Sequence, residues 1–422
     1  MRILWVKANK LLPLHSGGDI RSYHIARYLG SRNELCFLSY YDGEVDDDYE
    51  KGLAKHFPGA TCICTGKSQT VSARALDYLM KLMDSAPYAV SRFNFAPIRA
   101  KLGDWLSSGR FDVAVCDFLD AAVNFPARNT TPTVLFQHNV ESEIWRRHAE
   151  TEKNPAKRNL YGMEFRKMMA YEKSAVQRFT GVVAVSEHDK HLMSDWVHSA
   201  KIEVVPTGVD LSQYQADFSV HRDAPLVIFV GAMDWEPNVD AVEYFCQDIW
   251  PAVLQKVPQA KFRIVGRNPV RRVQQCASQS VEVTGRVPAV IDHLREAAIV
   301  IVPLRIGGGT RLKIYEAMAA GKAIVSTSIG AEGLDVHHGR DIILADEARI
   351  FGEAVVLLLQ DDQLRKGYEK AAAELAARYD WSAVGARFEG VLKNLLGSAA
   401  VVSDLRHGGT RDRQAELEGG QR

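Results

Sequence analysis

The sequence predicts an α/β protein made of two doubly wound parallel sheets, and three observations lead there. Thirteen short runs rich in Val and Ile recur along the 422 residues, with helical stretches between them. The runs lack polar alternation, so both of their faces are buried, as in parallel strands covered by helices. The rhythm breaks once, at the polar stretch "DLSQYQADFSVHRDAP", and then starts again.

In the first half the strands are "RILWV", "LCFLSYY", "ATCIC", "FDVAVCDF", "TVLFQH", "GVVAVS" and "KIEVVP". After the first of them, Gly17 and Gly18 place a tight turn before a helix on which Ile20, His24 and Tyr28 lie on adjacent turns; Asp19 and Arg21 are its polar candidates. The second half reads "LVIFVGAM", "KFRIVG", "VEVTG", "AAIVIVPL", "KAIVS" and "DIILA". These bounds give a first domain over 1–205, a linker over 206–224 and a second domain over 225–379. A last helix near 380–397 packs back on the first domain. The glycine-rich polar tail, 398–422, is expected to be disordered.

Composition excludes several classes of function. Formal net charge is zero, which argues against nucleic acid as a partner. Six scattered cysteines form neither a CxxC pair nor a zinc spacing and read as reduced thiols. The opening "MRILWVKANKLLP" lacks a signal-peptide core, and no run approaches the roughly 18 apolar residues of a membrane span. A cytoplasmic protein is expected, with peripheral contact at the inner face of a membrane. For that contact, Trp145 to Arg178 offers nine Lys/Arg against four Glu. Asp46, Asp47 and Asp48 read as a solvated loop and not as a metal site.

The chemistry concentrates in "GGGTRLKIYEAMAAGK". Thr310 caps a nearly all-apolar helix that Gly321 ends, yet Arg311 and Lys313 occupy its first turn, where the helix already presents positive partial charge. An anion at that end resolves the conflict. Glycines 307–309 let backbone amides approach it, and the two cations complete the neutralisation of a diphosphate. Both GxGxxG and GxxxxGK[ST] are absent. Glu316, two turns from the glycines, offers paired acceptors suited to ribose hydroxyls. At the end of "TVLFQH", His138 is a lone histidine at a strand terminus.

The run "GGGTRLKIYEAMAAGKAIVSTSIGAEGL" resembles the donor-site signature of retaining GT-B glycosyltransferases of the family-4 type, near a subgroup found with exopolysaccharide gene clusters. Other stretches agree in order: "SGGDIRSYHIARYL", "VVAVSEHDK", "VVPTGVD", "FVGAMDWEPN" and "VTGRV". The resemblance implies two Rossmann-like domains facing a cleft, acceptor side first, and transfer of a sugar from a nucleotide-diphosphate sugar to a glycan or lipid-linked acceptor with retention. It implies no metal or other cofactor. Gly17, Gly18, Asp19 and Arg21 then lie against donor phosphates and acceptor, and His138 points toward the donor sugar. Gly231, Arg286, Gly308, Gly309, Thr310 and Glu316 contact the donor, while Arg311 and Lys313 stabilise the departing diphosphate.

Two departures stand out. The family's second Glu is replaced by Gly308, and its "GRL…KG" cations by "GAMDWEPN". On those losses two alternatives stay open: a catalytically silent subunit that scaffolds polysaccharide assembly, and a nucleotide-sugar epimerase or hydrolase on the same fold.

Overall fold

Each of the thirteen apolar runs forms a strand, and every ladder between them is parallel. The structure, a computed structural model, describes residues 1–14, 16–67, 70–214, 216, 218, 225–306 and 312–397. The first sheet holds β1 (Arg2–Ala8), β2 (Glu34–Tyr41), β3 (Thr61–Cys64), β4 (Val113–Asp117), β5 (Thr133–Phe136), β6 (Gly181–Ala184) and β7 (Ile202–Val204), in the order β3-β2-β1-β4-β5-β6-β7. The second holds β8 (Leu226–Val230), β9 (Lys261–Val265), β10 (Val281–Gly285), β11 (Ile299–Val302), β12 (Ala323–Ser326) and β13 (Ile343–Leu344), in the order β10-β9-β8-β11-β12-β13. Winding reverses between β1 and β4 in one sheet and between β8 and β11 in the other. At such a reversal the connections leave in opposite directions and open a crevice at the strands' carboxyl ends.

The chain divides into two compact units: Met1–Val205 together with residues from Gly385 on, and Pro206–Val384. Each has its own core. Strands β4, β5 and β6 are buried along their whole length in the first, as are β11 and β12 in the second. The helix over 381–397 enters the first unit at Gly385, which approaches Tyr28 so closely that a Cβ would fall 2.3 Å from the ring. Further along, Phe388 packs on Trp5 and Phe136, and Glu389 accepts from Asn33 Nδ2 at 2.9 Å.

Two local expectations meet the structure differently, and a third is met where it is described. Gly17 and Gly18 do not form a turn ahead of the helix; they are its first two residues in Gly17–Gly30. Ser16 caps it by accepting from the Asp19 amide, and its hydroxyl donates to Asp19 Oδ2 at 2.7 Å, which pulls the helix start back over the glycines. Asp46–Asp48 are likewise a helix start and not a loop: Asp46 accepts from Tyr49 N, and Asp47 and Asp48 sit in the first turn, where acids are favoured. The helix expected over 310–320 is described as Leu312–Ala319. Gly321 stops it in the left-handed region at φ 65°, with Gly321 N donating to Met318 O and Lys322 N to Ala317 O. Gly308, Gly309, Thr310 and Arg311 lie outside the described residues, as does the tail 398–422. The six cysteines are free thiols, Cys116 fully buried and the rest part-buried.

Candidate functional site

In the second unit the reversal point between β8 and β11 is filled by Lys313. Its ammonium donates to Asn238 Oδ1 at 2.9 Å and lies 4.4 Å from the centre of the Phe229 ring at the end of β8. Asn238, on the buried side of the helix Glu236–Tyr244, is held by its own Nδ2 donating to Ala232 O. Gly231 leaves room for this pair, since a Cβ there would fall 2.6 Å from Asn238 Nδ2 and 3.0 Å from Lys313 Nζ. The charge is therefore fixed beyond the carboxyl end of β8 by Phe229, Gly231 and Asn238, a stretch far from Lys313 in sequence. One turn on, Glu316 lies beside Tyr214, and the two groups act on each other electrostatically. Burial raises the Glu316 pKa, against the pull of Tyr214 and Lys313. Arg286 is exposed just past β10, where Gly285 takes φ 69°.

The first unit carries a buried polar network at the matching edge of its sheet. Asp117 ends β4 and is fully buried. It accepts from Trp5 Nε1 at 3.0 Å, Ser22 Oγ at 2.9 Å and His138 Nε2 at 2.7 Å, with Lys7 Nζ at 3.7 Å. Lys7 also pairs with Asp19 at 3.2 Å. Burial works against the Asp117 charge, but Lys7, His138 and Ser22 outweigh it and keep its pKa below the usual carboxylate value.

His138 has a determined tautomer. Arg21 Nη1 can only donate, and it lies 3.0 Å from Nδ1, so Nδ1 is the acceptor and Nε2–H donates to Asp117. The ring stacks on Phe118 at 3.7 Å between centroids. Burial, reinforced by Arg21 and Lys7, overcomes Asp117 and drops the His138 pKa to about 4, so the ring is neutral at pH 7. Arg21 itself is lowered to about 10 by burial, despite Asp189 and Asp117. Phe118 follows with φ 72°, an uncommon conformation for an aromatic residue, and a Cβ on Gly18 would strike its ring at 2.3 Å. Glycine at 18 is thus a packing requirement that brings the helix start down onto Phe118.

Two families of known proteins match in tandem. Residues 61–213 match glycosyltransferase family 4, and residues 224–361 match glycosyl transferases group 1. The chain is a GT-B glycosyltransferase. A phosphatidyl-myo-inositol mannosyltransferase of Mycolicibacterium smegmatis is 26% identical over 331 residues, 75% of this chain and 80% of that protein. An uncharacterized 44.6 kDa protein in the cps region of Klebsiella pneumoniae is 22% identical over 316 residues, 68% of this chain and 79% of its own. Anabaena Alr3699/HepE, solved in complex with UDP and glucose, superposes with TM-score 0.66 at 15% identity, covering 93% of this chain and all of that one.

Within this glycosyltransferase the sequence-derived candidates fall into two groups. Gly17, Gly18, Asp19, Arg21 and His138 gather at the β1–β4 edge of the first unit, and Gly231, Lys313 and Glu316 at the β8–β11 edge of the second. His138 does not offer a ring nitrogen outward, because both are spent on protein partners. Lys7, Asp117, Asn238 and Tyr214 escaped the sequence reading. Asp117 left a trace: a carboxylate closing an otherwise apolar strand has no reason to be there unless something neutralises it.

Proposed function

We propose that this glycosyltransferase moves a hexosyl unit from a nucleotide-diphosphate sugar to a glycan or lipid-linked acceptor, with retention of anomeric configuration, in polysaccharide or glycoconjugate biosynthesis. One observation carries the donor assignment: Lys313 is held by Asn238 and Phe229 beyond the carboxyl end of β8, one turn from a part-buried carboxylate. A fixed cation there neutralises a diphosphate, and it stabilises the charge that grows on the leaving group as the glycosidic bond breaks. Glu316 takes the ribose hydroxyls in place of Tyr214. Arg311, Gly308, Gly309 and Thr310 are assigned to the same diphosphate through their place in the motif.

The first unit holds the acceptor. Its neutral His138 and the Asp117–Lys7 pair act as a rigid floor beneath Gly17 and Gly18, and Asp19 and Arg21 are thereby oriented. With protein cations on the diphosphate, no metal is required. The mannosyltransferase likeness supports a lipid acceptor, and the cps-region likeness supports polysaccharide assembly. An acceptor of that kind places the enzyme in the cytoplasm, peripherally at the membrane's inner face. The test is a thermal-shift panel of UDP-, GDP-, ADP- and TDP-sugars, since a ligand that binds the native state raises its midpoint. The best donor is then incubated with lipid-linked acceptors, and the anomeric configuration of the product is read by NMR. Inversion would refute the retaining assignment.

A further inference from the structure

The helix Val71–Lys81 has its apolar side turned outward. Val71, Leu76, Leu79, Met80 and Met83 are 86, 58, 64, 67 and 92% exposed. Its polar side faces the protein. There Asp77 pairs with Lys81, Tyr78 packs edge-on against Tyr88 at 4.9 Å, and the Tyr78 hydroxyl and Tyr88 amide both reach Glu164. A surface helix whose only neighbours are water and its own domain shows the opposite order. Five large apolar side chains bunched in thirteen residues also form a patch, unlike single exposed hydrophobics, which are ordinary.

Exposed cations lie on this helix and on the helix packed beside it. Lys167 on the helix Pro155–Arg178 donates to Leu82 O at 2.6 Å, which ties the two helices together. On that second helix Lys157, Arg158 and Arg166 are exposed, as is Arg74 on the first, whereas Glu164 is buried between them. Leu160, among those cations, is also exposed.

We propose that the outward face of Val71–Met83, flanked by Arg74, Lys157, Arg158 and Arg166, docks on an anionic lipid surface. It rests on the peripheral placement given above and names the face that makes the contact. The apolar side chains enter the headgroup–acyl boundary, and the cations meet lipid phosphates beside it. A symmetric contact between two copies fits less well, because it would set the same cations against each other.

The test is co-sedimentation with vesicles of phosphatidylcholine, with and without phosphatidylglycerol. The parent is expected to pellet with the anionic vesicles and to be released by salt. A Leu76→Ser, Leu79→Ser, Met80→Ser variant should bind about tenfold more weakly or worse. Replacing Lys157, Arg158 and Arg166 by Ser should erase the preference for phosphatidylglycerol. Should the triple apolar variant fail to fold by circular dichroism, Met83→Asp, lying past the helix end, carries the same expectation. Equal pelleting of the variants, no binding by the parent, or a parental dimer that the apolar variant turns into a monomer would each overturn the proposal. Donor binding measured without vesicles should be unchanged in all variants. A loss there bears on the transferase reading and not on docking.

Discussion

Replacing Lys313 by Met removes one charge and keeps the aliphatic stem. Considered with the helix dipole alone, taking a cation out of the first turn stabilises the free protein by about 0.3–1 kcal/mol. The observed partners reverse that sign. The ammonium's hydrogen bond to Asn238 at 2.9 Å is charge-assisted, and its loss leaves a buried amide oxygen unpaired, at a cost of about 1–3 kcal/mol. Loss of the contact with Phe229 adds about 0.5–1 kcal/mol. The variant should therefore be less stable by roughly 1–3 kcal/mol in urea denaturation. Donor diphosphate should bind more weakly by about 1.5–3 kcal/mol, close to 10- to 150-fold, by isothermal titration. A variant that is destabilised by that amount but binds nucleoside diphosphate like the parent would show Lys313 to be a packing cation only.

Glu316→Gln should keep the fold and weaken nucleotide-sugar binding by about 1.5–3 kcal/mol, and Tyr214→Phe should change that affinity far less; equal losses would make the pair structural. Asp117→Asn leaves Lys7 buried with Asp19 as its remaining acid, and a drop of about 3 kcal/mol or more in unfolding free energy is expected. His138 binds its proton less readily folded, near 4, than unfolded, near 6.5, so its contribution to stability falls as pH drops through that window, at most about 1.4 kcal/mol per pH unit. Asp120 and Glu172, both raised to about 7 by burial, act in the opposite direction between about 4 and 7. The His138 effect is therefore read as a difference: His138→Gln, which can donate to Asp117 and accept from Arg21, should lose stability less steeply than the parent between pH 6.5 and 4. Parallel curves would mean that His138 titrates normally.

All thirteen strands were legible because a strand buried on both faces has to be apolar without interruption, and that signal is local. Gly321 was legible for a similar reason: a helix that stops in the left-handed region calls for glycine. The polar partnerships were not local. Lys7 meets Asp117 across more than a hundred residues, and Asn238 meets Lys313 from a separate helix, so nothing in either neighbourhood announces the pair. His138 shows the limit most clearly. Its position at a strand end was evident, but the direction of its ring is set by Arg21, Asp117 and Phe118, which arrive from two other segments. The Asp46–Asp48 start was missed because acids before a polar stretch suit a loop and a first helical turn equally well.

The donor site is tested most directly by titrating the full chain with nucleotide-diphosphate sugars in excess EDTA. Binding of one such sugar is expected to persist unchanged without divalent ions, to be competed by the matching nucleoside diphosphate, and to weaken in both Lys313→Met and Glu316→Gln. Absence of binding to any nucleotide sugar, or binding that appears only when Mg²⁺ is restored, would contradict a diphosphate held by protein cations at the β8–β11 edge.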